Sequence, residues 1–170
     1  MPQTTVASEA ADLLDTMAKH RWLLRYTVRN LSDEQAAQHA TVSDLCLGGL
    51  IKHVAFVEQR WVHFIAQGPS AMDHGGDPAA QWSANFQMMA GETLASLLQE
   101  YEQVAVRSAA FVVSLPDLDA TQPLPPSPWF EPGARWSARR VLLHVIAETA
   151  QHAGHADILR ESLDGAKSMG

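Results

Sequence analysis

Residues 137–165 read Ser137-Ala-Arg-Arg-Val141-Leu-Leu-His144-Val-Ile-Ala-Glu148-Thr-Ala-Gln-His152-Ala-Gly-His155-Ala-Asp-Ile-Leu159-Arg-Glu-Ser-Leu163-Asp-Gly165. At about 100° per residue, His144, Glu148, His152 and His155 fall within an arc of about 80°, and Val141 and Leu159 lie inside the same arc. Aliphatic side chains in a stripe turn it towards a core, so these polar groups are expected to look into a bundle and not into water. Ser137 is a good N-cap and Asp164-Gly165 a good stop, which predicts one helix from Ser137 to about Leu163. A carboxylate and imidazoles on a buried face are costly unless something satisfies them. A divalent cation does so, because imidazole nitrogen and carboxylate oxygen suit zinc, nickel or iron.

Working outward, three more segments carry helical periodicity. One runs from about Ser8 to Asn30, with Leu13, Leu14, Met17, Leu24, Val28 and Leu31 on one stripe. Residues 31–35 add a cap and a short turn. The next starts near Ser43 as N-cap and continues through Ile51, Val54 and Trp61 to Gln67, where Gly68-Pro69 stops it. Gly48 and Gly49 near its start admit a close-packed backbone. The third runs from about Glu92 to Leu115. Residues 68–90 read as a surface loop, and nothing between the helices alternates like a strand. Six of the nine prolines lie between Pro116 and Pro132, which makes that stretch a stiff loop whose Trp129 and Phe130, with Trp136, are expected to pack over the bundle. The reading is an all-α, four-helix bundle in one domain, residues 1–170. Its two long connections allow a crossover topology.

Composition narrows the function. The 170 residues carry 12 Lys and Arg against 19 Asp and Glu, a net charge of -7, which repels nucleic-acid phosphates. No window approaches the roughly 18 apolar residues of a membrane span. The single Cys46 forms no internal disulfide, and with an N-terminus unlike a signal peptide this predicts a cytoplasmic protein. No Ser-His-Asp signature, phosphate loop or dinucleotide fingerprint is present. Eight His residues direct attention to ligand spacing. His53 sits among Ile51, Val54, Phe56 and Val57, a lone imidazole with core-type neighbours. His20 lies at the edge of the first helix's stripe, while His39, His63 and His74 fall on loop or outer positions. Cys46 reads as core filler and not as a nucleophile.

The segment Gly48-Gly49-Leu50-Ile51-Lys52-His53-Val54 and the final helix's His-Val-Ile-Ala-Glu-Thr-Ala-Gln-His-Ala-Gly-His together resemble the DinB/YfiT superfamily of metal-dependent proteins. Ala-Lys-His-Arg-Trp near Arg21, Trp-Phe-Glu-Pro-Gly near Phe130 and the closing Arg-Glu-Ser-Leu-Asp-Gly are similar to its actinobacterial mini-circle-protein group. The resemblance implies a crossover four-helix bundle with a metal held by one His of the second helix and two ligands four apart on the last. The usual last-helix pattern is His-x-x-x-His; here Glu148 occupies the first position, a variant similar to the metal-binding domain of mycothiol-dependent maleylpyruvate isomerase. It points to His53, Glu148 and His152 as ligands, zinc before nickel or iron. His155 becomes a fourth ligand or outer donor and His144 an outer partner. A register using His144 with Glu148 stays open, since helical geometry does not separate the pairs.

Three protein ligands leave a coordination position open, as in catalytic zinc sites. The resemblance implies a thiol S-transferase that activates a mycothiol-like thiol towards a small electrophile. The alternatives are a metal-dependent hydrolase of a small amide or ester, and a non-catalytic metal-binding stress-response protein. Trp22 and Tyr26, opposite the core stripe of the first helix, predict a homodimer.

Overall fold

The computed structural model describes residues 8–73 and 84–168. α1 spans Glu9–Thr27, capped by the Ser8 hydroxyl. A capping box between Ser32 and Gln35 starts the short α2, Asp33–Ala37. α3 spans Leu47–Gln67 and passes into a 3-10 turn at Gly68–Met72. α4 spans Leu94–Ser114 behind a Thr93–Ser96 capping box, and α5 spans Ala138–Asp164. Ser137 caps α5, and Gly165 ends it at φ 77°, the left-handed conformation a glycine adopts without a Cβ clash.

The N-terminus of α3 lies further along than expected. Cys46, not Ser43, caps it, its Sγ accepting from the Gly49 N–H at 3.3 Å. The Ser43 hydroxyl accepts instead from Leu45 N–H in a local turn, the competition that short polar side chains offer to a helix start. A second difference is a two-stranded antiparallel clip: β1, Thr121–Pro123, pairs with β2, Arg135–Ser137, in the register Thr121↔Ser137 and Pro123↔Arg135. Three residues are too few for alternation to register in a sequence.

The four long helices form the bundle. α1 packs against α5, α5 against α3, and α3 against α4, while the α1–α4 seam is lighter. Two of the three consecutive pairs of long helices therefore stand on diagonals, α1 facing α3 and α4 facing α5 across the centre, while α3 and α4 are neighbours; this is the crossover topology. Leu24, Leu50, Ile51, Tyr101, Val104 and Ala156 form one core cluster, and Leu13, Met17, Val112, Leu142 and Val145 a second. Across the α1–α3 diagonal, Arg21 and Glu58 form a buried bidentate ion pair, with N–H···O distances of 2.9 and 2.6 Å. Among the described residues, no helix is long and apolar enough to cross a membrane.

Candidate metal centre

The α3–α5 seam carries the polar stripe. His53 on α3 and Glu148 and His152 on α5 converge there, each offering a ligand atom so that these atoms all lie within 4.8 Å of one another. His53 and His152 are buried and Glu148 is half-buried. The Glu148 carboxylate is bracketed one turn away on each side: His152 Nε2 stands 3.5 Å from Oε2 and His144 Nε2 3.8 Å from Oε1. His155 turns its Nδ1 to the Nδ1 of His152 at 3.4 Å, away from the carboxylate. His53 meets His152 edge-on, ring centroids 4.8 Å apart at 78°.

Burial sets the electrostatics of the trio. Desolvation, with the charge of His152, pushes His53 down to about 4 against the pull of Glu148. Its ring is neutral at physiological pH and keeps a nitrogen lone pair to donate. Burial likewise lowers His144. The hydrogen bond with His152 holds the Glu148 carboxyl below its ordinary value despite partial burial. Two imidazoles and one carboxylate at a shared point are a donor set that zinc and its neighbours in the transition series accept.

Two features surround the trio: a strap through Phe86, which the sequence did not single out, and an aromatic group that includes Phe130 and Trp136, which were expected to pack over the bundle. Phe86 stacks face to face on His53, centroids 3.8 Å apart at 20°. The backbone carrying it lies directly on α3, where a Cβ at Gly49 would sit 1.9 Å from the Phe86 carbonyl oxygen. The buried Cys46 thiol donates to that same carbonyl at 3.8 Å, and the Lys52 ammonium donates to Gln87 O at 3.4 Å and pairs with Glu92. The adjacent glycines were the signal for this strap. The second feature is aromatic. Trp61 and Trp136 stack at 4.9 Å, and each meets His144 edge-on, at 4.8 and 5.2 Å. Phe130 packs edge-on against Trp136, but Trp129 is 85% exposed. Its expected packing fails because Phe130 N–H bonds back to Ser127 O in a tight turn, where neighbouring side chains diverge.

Among the described residues, the remaining histidines stay apart from the trio. His20 is half-buried, His39 and His63 are exposed, and His74 lies outside the described residues.

A family model described as mycothiol-S-transferase matches residues 12–165. The chain belongs to that family. Membership ties it to mycothiol-related, metal-dependent chemistry, and the DinB/YfiT-like resemblance read from its motifs stands. No curated protein matches the chain. A solved structure, the conserved protein of locus from Enterococcus faecalis, matches in fold with a TM-score of 0.67 at 12% identity, over 95% of this chain and 100% of its own. That likeness fixes the all-α architecture and carries nothing about the reaction.

Proposed function

We propose that this mycothiol S-transferase family member joins a low-molecular-weight thiol of mycothiol type to a small electrophile, using a divalent cation, zinc first, held by His53, Glu148 and His152. The observation that carries the reading is the convergence of these three donors, from two helices, to within 4.8 Å. When bound, such a cation supplies Lewis acidity that favours the thiolate form of a small thiol at neutral pH.

The chain's own residues prepare the site. His53 is held neutral by burial and so offers a lone pair without first losing a proton. Glu148 brings the trio's one negative charge, so a dication held there keeps net positive charge to attract a thiolate. With a cation bound, His152 would carry its proton on Nδ1, donated to His155, and its Nε2 would exchange the hydrogen bond to Glu148 for the cation. His155 thereby acts as an outer partner that sets the tautomer. His144 steadies the second carboxylate oxygen and is itself steadied by Trp61 and Trp136. Those rings, with Phe130, give the seam an apolar wall against which an apolar electrophile can rest beside the thiol.

The test combines elemental analysis with thiol conjugation. Purified protein should carry about one divalent ion per chain, and His53→Ala and His152→Ala should lose it, each removing one of three protein ligands. Loaded protein should speed conjugation of mycothiol or a similar thiol to a test electrophile, and Glu148→Gln should be slow. Full metal retention by both His variants, or equal rates for loaded and stripped protein across several thiols and electrophiles, would overturn the reading.

A further inference from the structure

The polar stripe of α5 continues one turn before His144 to Arg140. Every other arginine of the chain donates a hydrogen bond to a carboxylate or a backbone oxygen, and its neighbour Arg139 bonds both Glu9 and Asp119. Among the described residues the Arg140 guanidinium makes no hydrogen bond or ion pair; it lies over the Trp136 ring, 5.1 Å from the centroid. A guanidinium stacked on an indole is held by its face, while its N–H groups lie in its plane and stay free to donate. Arg140 is exposed, so those donors are within reach of a ligand. Burial lowers His144 first, and the Arg140 charge lowers it further against the pull of Glu148, so that charge is felt along the stripe.

Stripe and seam run together. His53 meets His152 at one end, and two turns further along α3 Trp61 meets Trp136 and His144. Arg140 likewise stands two turns before Glu148, about 12 Å along the helix axis. Trp61, Trp136, His144 and Glu148 are all half-buried, so a partly covered edge joins the donor trio to the guanidinium. One end of the seam offers the metal donors, the middle an indole platform, and the other end a free cation in a chain of net charge -7.

We propose that the electrophile taken by this site carries a carboxylate on an elongated apolar body. Arg140 grips the carboxylate, the body lies along Trp136 and Trp61, and the reacting carbon reaches the trio. This rests on the thiol transfer proposed above and names its substrate class. The guanidinium fork matches a carboxylate bidentately. A single free guanidinium offsets one negative charge, so a monoanion suits it better than a dianionic phosphate, whose second charge would face Glu148 and the net negative chain. In the transfer itself the thiolate sulfur forms the S–C bond as a leaving group such as chloride departs with its bonding electrons, and the thiol's proton goes to solvent. Arg140 takes no part in that step and acts through binding.

The test offers para-chloromethyl biphenyl carboxylate and its primary amide to metal-loaded protein with mycothiol. Wild type should show a kcat/KM about ten-fold higher for the carboxylate, carried by KM. Arg140→Met should bring the two electrophiles to the same kcat/KM, and Arg140→Lys, which keeps the charge and loses the fork, should fall between. A second arm needs no turnover. The unreactive para-methyl biphenyl carboxylate, added to protein as purified with no thiol present, should quench tryptophan fluorescence with a Kd about ten-fold below that of its amide, and Arg140→Met should erase the difference. Equal kcat/KM for both electrophiles in wild type would overturn the carboxylate assignment and leave thiol transfer standing. Conjugation of neither would count against thiol transfer, and the fluorescence arm would then decide whether the seam takes a carboxylate, equal Kd values for acid and amide overturning it.

Discussion

Gly49→Ala is the sharpest test of how the strap over His53 is held. The added Cβ would lie 1.9 Å from the Phe86 carbonyl oxygen, 2.4 Å from its carbon and 2.9 Å from the Gln87 nitrogen, all backbone atoms. Contacts below 3.0 Å essentially do not occur, so the strap must retreat by more than about 1 Å. Alanine gains at most about 0.5–1 kcal/mol over glycine as a helix residue. Overpacking against backbone costs about 1–3 kcal/mol. The net expectation is a loss of about 1–2 kcal/mol, or a melting temperature lower by about 2–8 °C for a chain of this size. The retreat also lifts the Phe86 ring from its 3.8 Å stack on His53. Metal affinity, read by competition with a chelator, should fall about ten-fold although no ligand is touched, the lower end for residues that support ligands. Gly48→Ala is the control. Its Cβ meets the Met88 side chain at 2.1 and 2.6 Å, and a flexible thioether can swing aside. A Gly49→Ala protein that melts with wild type, binds metal as tightly and leaves the His53 ring-proton shifts unmoved would refute the reasoning.

Two further outcomes follow from buried charge. His53 titrates near 6.5 in an unfolded chain and near 4 when folded, so below pH 6.5 the unfolded state binds the extra proton and stability falls with acidification. Metal-stripped protein should lose up to about 3 kcal/mol from this group between pH 6.5 and pH 4, read by urea unfolding, and His53→Leu should flatten that slope; equal slopes would remove the assignment. Arg21→Met or Glu58→Met alone leaves a buried charge unpaired and should cost about 3–5 kcal/mol, while the double substitution should cost clearly less than the two added together. Strict additivity in thermal unfolding would show that the pair is not coupled.

The helices were legible because each carries its own punctuation. Ser8 and Ser137 cap where a serine hydroxyl can reach the third N–H, and Gly165 stops α5 in the left-handed conformation. The α5 stripe was legible for the same reason, since a fixed angle per residue places His144, Glu148 and His152 on one face whatever packs against it. Contacts made at a distance in sequence were not. Nothing local in Phe86 announces that it covers His53, and only Gly48-Gly49 hinted that something lies on α3. Arg21 and Glu58 each read as ordinary charges on helices, and only the diagonal placement of α1 and α3 shows that they meet in the core. Trp129, Phe130 and Trp136 are alike in composition, yet turn geometry sends one to solvent and two to the bundle.

The crossover itself decides what kind of site the bundle can hold. In a simple up-and-down bundle α3 and α5 would stand on a diagonal, and side chains reaching from one to the other would meet in the sealed centre. Arg21 and Glu58 show what that position gives: an ion pair with Glu58 1% exposed, satisfied by its partner and closed to any third molecule. The long connection from α4 to α5, clipped by β1 and β2, carries the chain across the bundle and makes α3 and α5 neighbours. Their shared seam buries His53 and His152, which a dry ligand site needs, while Glu148 at the rim stays half-exposed. Donors sunk in a wall with one edge reaching solvent are open to a third partner in a way that the sealed Arg21–Glu58 pair is not. The proline-rich connection thus contributes twice, by setting the helix order that creates the seam and by bringing Trp136 against His144 at its edge.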